Sequence, residues 1–180
     1  MTDRANTVEH YYEDLTVGQQ IALGERTIGK QEIFAFAREY DPLPFHLDEK
    51  AAKESLLGGL ASSGWQTAGF ALGLFVEAFL GKAASMGGLG FRDLKWKRPF
   101  MVNDTLTGTV TVTDLRRSRS RPEVGIATFE FDMCNQQGKP LMSMSLVNLI
   151  GLRDPGSPIR DDEVGDGDGG EGADGEGGGE

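Results

Sequence analysis

Histidine and cysteine are scarce in this chain: two histidines, His10 and His46, and one cysteine, Cys134, in 180 residues. A lone cysteine excludes an intrachain disulfide and fits a reducing, cytoplasmic setting. With so few imidazoles and thiols, and no ligand spacing of the zinc kind, no metal site is expected. Long apolar runs are missing as well. The uninterrupted run from Ala68 to Val76 falls well short of the roughly 20 residues that cross a bilayer. The opening residues Met1-Thr2-Asp3-Arg4-Ala5-Asn6 are polar, without the apolar stretch of a secretory signal. No glycine-rich phosphate loop follows a strand-like run, so no cofactor of the nucleotide redox kind is expected.

Net positive charge is also lacking. The formal charge is −10, but nine of the 28 acidic residues lie between Asp161 and Glu180, where no Lys or Arg occurs. The preceding 160 residues are nearly neutral, with 18 basic and 19 acidic side chains. This balance argues against nucleic-acid binding, which needs a basic face. Residues 161–180 also hold nine glycines and almost nothing apolar. Such a segment cannot bury enough surface to offset its ordering entropy, so a disordered acidic tail is predicted after a single domain over 1–160. The one basic cluster, Arg116-Arg117-Ser118-Arg119-Ser120-Arg121-Pro122, lies between two strand-like runs and reads as a hairpin loop.

Gln19 to Ile28 reads as a first strand. Gly29 can start a helix whose apolar stripe is Ile33, Phe36/Ala37 and Tyr40, and Asp48 can cap a short helix through Glu54. Gly64 to Leu80 is apolar nearly all round and reads as a buried central helix. In the second half, Leu106, Gly108, Val110 and Val112 alternate with threonines, and Ala127, Phe129, Phe131 and Met133 alternate with polar residues from Thr128 to Asp132. With Leu89–Arg98 and Leu141–Ile150 these runs make an antiparallel meander. One long helix and one such sheet define an α+β domain, the helix wrapped by the sheet.

The stretch Asp41-Pro42-Leu43-Pro44-Phe45-His46 carries the chemistry. Each proline fixes its own φ and drives the preceding residue out of the α region. A shaped loop, rather than a helical turn, is therefore expected between Asp41 and His46. A carboxylate and an imidazole held together can exchange protons near neutral pH. The same spacing also fits a turn in which Asp41 caps backbone and His46 faces solvent.

The region from Phe36 to Thr67 resembles the MaoC-like hydratases and dehydratases, hot-dog-fold proteins that include many (R)-specific enoyl-CoA hydratases. The family pattern is Asp, any residue, an amide, Pro, an apolar residue, His, then a small residue six positions on. Asp41, Pro44, Phe45, His46 and Ala52 match it, whereas Leu43 stands where the amide usually lies. The resemblance extends more weakly over residues 10 to 152. It implies a single hot-dog domain that adds water reversibly to a trans-2-enoyl thioester of the acyl-CoA kind, with Asp41 and His46 as the catalytic dyad. It also implies a homodimer. Gly64 matches the position whose backbone amide serves as oxyanion donor, and Ser62 and Ser63 beside it can cap the helix or contact ligand. Leu43 would then favour an apolar or branched acyl group. Two other readings remain at this point. One is a hot-dog thioesterase using Glu77 on the central helix; the other is a non-catalytic acyl-thioester-binding module.

Overall fold

The computed structural model describes residues 8–158. The segment 161–180 lies outside the described residues.

After a 3-10 turn at Tyr12–Asp14, two short strands, β1 (Gln20–Ala22) and β2 (Arg26–Thr27), replace the single strand expected over Gln19–Ile28. Both pair with β4 (Thr105–Arg117), but Ala22 faces Thr109 while Arg26 faces Leu106. One extra residue is therefore accommodated around Gly24, a bulge that breaks the ladder. Helix α1 (Lys30–Tyr40) follows, then α2 (Pro44–Leu47) and α3 (Glu49–Glu54). The long helix α4 (Gly64–Ala78) leads through a 3-10 turn, Leu80–Lys82, into β3 (Ser85–Trp96). Strands β4, β5 (Val124–Asn135) and β6 (Pro140–Gly151) complete the meander. All pairings between named strands are antiparallel, in the order β1-β4-β5-β6-β3.

The alternation in β4 and β5 places Leu106, Val110, Val112, Phe129, Phe131 and Met133 on the buried face. Helix α4 lays Ala71, Leu74 and Phe75 against that face. The ring of Phe75 lies 5.0 Å from that of Phe129 and 5.2 Å from that of Phe131. Each buried aromatic or large aliphatic side chain here contributes about 1.5–3 kcal/mol of transfer free energy. This contact sets the height of α4 above the sheet and thereby where its N-terminus lies.

Helix α4 is not buried all round. Trp65, Leu72 and Val76 are exposed on its outer side, at helical spacing. Strand β3 is exposed along nearly its whole length and departs from a regular edge. It slips register against β6 three times, and Gly87, Gly90 and Asp93 adopt positive φ.

Candidate active site

The two prolines shape the first half of the site. Pro42 forbids Asp41 an α conformation, so α1 ends there with the Asp41 amide donating to the Ala37 carbonyl at 3.0 Å. Leu43 is extended, as a pre-proline residue must be, with φ −81° and ψ 141°. The expected loop does not continue to His46. Pro44 instead begins α2 at its first turn, the position where a fixed φ and a missing N–H cost nothing. His46 therefore sits on a helical turn, its amide bonded to the Leu43 carbonyl at 2.9 Å. Asp48 closes the turn and caps α3 as anticipated, its Oδ1 accepting from the Ala51 amide at 2.8 Å.

The second half comes from the chain before α4. Ser62 N donates to Phe100 O, and Val102 N donates to Leu60 O, clipping this extended segment to the residues after β3. Ser63 then caps α4, its Oγ accepting from Trp65 N at 3.2 Å. The cap leaves Gly64 as the first helical residue, and its N–H has no protein acceptor among the described residues.

These pieces meet around one cavity of about 390 Å³, lined by Asp41, Phe45, His46, Leu57, Ser62–Trp65, Thr67 and Trp96–Phe100. All four residues picked from the sequence, Asp41, His46, Ser63 and Gly64, lie on it. Thr67, Trp96 and Phe100 are additions that the sequence did not single out. Thr67 had one signal, a hydroxyl four residues after Ser63 in a helix. Leu43 is outside the lining and 44% exposed. The arginine hairpin lies at the opposite end of β5 from the cavity, since Arg117 pairs with Gly125 whereas Trp96 pairs with Met142, beside Met133. Glu77 is exposed and stands thirteen residues along α4 from Gly64, about 20 Å at the helical rise.

His46 is buried. Its Nδ1 lies 2.9 Å from the carbonyl oxygen of Ala61. A carbonyl only accepts, so Nδ1 carries a proton and Nε2 is the ring nitrogen left to act. Nε2 faces Asp41 Oδ2 at 3.6 Å, too far for a direct hydrogen bond. With Nε2 unprotonated, the imidazole and the carboxylate offer two acceptors to the same small space. A single water donating one hydrogen to each matches that arrangement.

The chain belongs to the MaoC-like domain family, whose model matches residues 14–132. It is 34% identical over 147 residues to the (R)-specific enoyl-CoA hydratase of Rhodospirillum rubrum, covering 80% of this chain and 94% of that protein. Among solved structures, the MaoC-like dehydratase from Rhodospirillum rubrum is similar with a TM-score of 0.75 and 38% identity, over 80% of this chain and 98% of that one. A conserved hypothetical protein from Mycobacterium tuberculosis with a double hot-dog fold shares the architecture at a TM-score of 0.70 and 20% identity, over 87% of this chain and 48% of that one. The α+β layout of one central helix on an antiparallel sheet is thus the hot-dog fold.

Proposed function

We propose that this protein is an (R)-specific enoyl-CoA hydratase, reversible as a dehydratase, with Asp41 and His46 as its catalytic dyad. The observation that carries the reading is the commitment of His46 Nδ1 to Ala61 O, which leaves Nε2 within 3.6 Å of Asp41 Oδ2 at the edge of one cavity. Water held there by both hydrogens directs its oxygen lone pair away from the dyad, towards the β-carbon of a bound enoyl thioester. As the carbon–oxygen bond forms, one O–H bond breaks and that proton passes to the dyad, while a proton is delivered to the α-carbon. Hydration neither oxidises nor reduces the substrate, so the atoms balance without a redox cofactor. General acid–base catalysis of this kind supplies about 10²–10⁴ in rate.

During attack, negative charge develops on the thioester oxygen. Gly64 N–H at the start of α4 is free to receive it, aided by the helix dipole. Ser63 adds a second donor in this reading. Its Oγ already accepts from Trp65 N, but its own proton has no protein acceptor among the described residues. Phe45, Leu57 and Phe100 give the cavity apolar wall for the acyl group. The alternative thioesterase reading loses its carboxylate, because Glu77 lies outside the cavity.

The active form in this proposal is a homodimer. Strand β3 is an unpaired edge carrying Met86, Leu89, Phe91 and Trp96, each about half exposed. An exposed apolar edge of this length is a pairing surface, and twofold pairing is the commonest solution.

The test is the absorbance of crotonyl-CoA mixed with purified protein, followed by chiral analysis of the product. Loss of the enoyl absorbance with formation of the (R)-3-hydroxy thioester supports the reading. Release of free thiol instead would establish a thioesterase, and binding without turnover would leave a non-catalytic module.

A further inference from the structure

Ser62 and Ser63 are neighbours on the same cavity, yet the hydrogen-bond pattern gives them opposite polarity. Thr67 Oγ1 lies 3.2 Å from the carbonyl of Ser63 and 2.9 Å from Ser62 Oγ. A threonine hydroxyl has one proton. Because a carbonyl can only accept, that proton goes to Ser63 O, the usual bond of a helical threonine to the carbonyl four residues back. Thr67 Oγ1 must then accept from Ser62. The Ser62 proton is thereby committed, and Ser62 Oγ can offer the cavity only lone pairs. Ser62 is 5% exposed and Thr67 is 3% exposed, so bulk water does not scramble the pattern.

Three residues lining the cavity can therefore offer acceptors: Asp41 Oδ2, His46 Nε2 and Ser62 Oγ. One water has two hydrogens, and the dyad uses both. The third acceptor is left available to a donor on the organic substrate. A simple trans-2-enoyl group has none. The nearest donor in a coenzyme A or carrier-protein thioester is the amide N–H of the cysteamine arm, four bonds from the thioester carbonyl carbon. That reach compares with the at most ~7 Å that two residues can span between Ser62 and Gly64.

We propose that Ser62 is a substrate-binding residue that accepts the cysteamine N–H of the thioester arm, and that Thr67 is a positioning residue that fixes Ser62 as an acceptor. The proposal rests on the thioester reading above and adds a discriminating contact to it. Recognition at this point depends on the arm shared by coenzyme A and carrier proteins, and is independent of the acyl group.

Two substrates differing only in that N–H test it: the crotonyl thioester of N-acetylcysteamine and that of 2-mercaptoethyl acetate, in which an ester oxygen replaces the amide. The wild-type protein should show a KM about tenfold lower for the amide, the worth of one hydrogen bond at about 1 kcal/mol or slightly more. In Ser62→Ala and in Thr67→Val the ester-to-amide ratio of KM should fall to near one, whereas Thr67→Ser should keep the wild-type ratio. Thermal melts accompany each variant, and Thr67→Val alone carries the test if Ser62→Ala fails to fold. A ratio unchanged in Ser62→Ala or Thr67→Val overturns the proposal, as does a wild-type protein that hydrates both substrates with equal KM. A wild-type protein that hydrates neither these nor crotonyl-CoA overturns the hydratase reading itself.

Discussion

Gly64 lies directly beneath the indole of Trp96: a Cβ placed on Gly64 would come within 2.6 Å of Nε1. The first residue of α4 is therefore glycine for want of space, since its helical backbone needs no special freedom. Trp96 in turn stands edge-to-face with Trp65 at 5.4 Å, so the ring cannot retreat without disturbing a second one.

Gly64→Ala should accordingly destabilise the fold by about 1–3 kcal/mol through overpacking, seen as a melting temperature lower by several degrees. It should also cost at least about tenfold in kcat if the shifted N–H is the oxyanion donor proposed above, since such donors carry large terms. Trp96→Ala in the same chain makes room. The double variant should recover stability relative to the sum of the singles by about 0.5 kcal/mol or more. Strict additivity in the melts would show that the two residues do not press on each other.

Asp41→Asn and His46→Gln should each lower kcat by about 10²–10⁴ with little change in melting temperature. If the two groups share one water, the double variant should lose far less than the product of the single losses. His46→Gln keeps a side-chain donor that can reach Ala61 O, so the packing around the site is tested separately from the proton transfer. Turnover close to wild type in either single variant would remove the dyad from the mechanism.

What the sequence made legible and what it hid have physical causes. Period-2 alternation in 105–113 and 126–133 exposed two strands because one face is buried and the other wet. The motif from Asp41 to His46 drew attention because histidine is rare in this chain, and the two residues do line one cavity. Its geometry was harder to foresee. Proline's effect on the preceding residue predicted extended backbone at Leu43, but Pro44 also suits the first turn of a helix, and the helix prevailed. Strand β3 was misplaced, expected at Leu89–Arg98 and found at Ser85–Trp96, because its glycines and exposed face erase any alternation. Thr67 and Trp96 were missed for another reason. Their roles arise from contacts with Ser62 and Gly64, and Trp96 lies far from Gly64 in the chain.

The C-terminal strap offers a pH test. Arg153 N and Asp154 N donate to the Glu13 carboxylate at 2.9 Å each. The Arg153 guanidinium reaches Asp14 at 2.6 Å and lies over the Tyr11 ring. Burial pushes both carboxyls up, but for Glu13 the Arg153 and Asp154 amides outweigh it, and for Asp14 the Tyr11 amide and Arg153 do. Both groups end below their ordinary values of 4.5 and 3.8. A carboxyl lowered by folding stabilises fully above its ordinary value and loses that contribution as pH falls through the folded one. The melting temperature should therefore hold from neutral pH to about pH 5 and fall below it. Arg153→Gln keeps the backbone donors and removes the guanidinium. Being exposed, that pair should add little at neutral pH, and the acid limb of the melting curve should become shallower. An acid limb parallel to wild type would show that the pair plays no part.

The exposed edge at β3 makes the last prediction. Leu89 is 58% exposed in the middle of that strand, where a charge blocks edge pairing at little cost to the protomer. The wild-type chain should sediment at twice its 19.4 kDa at micromolar concentration, and Leu89→Lys should shift it towards the monomer without lowering far-UV helix or sheet signal. Activity provides the second readout. Trp96 ends β3 and also lines the cavity beside the dyad, so loss of pairing should loosen the cavity wall. KM should then rise in Leu89→Lys while kcat at saturation changes less, and the deficit should grow on dilution. A wild-type monomer at micromolar concentration with full activity would count decisively against pairing at this edge.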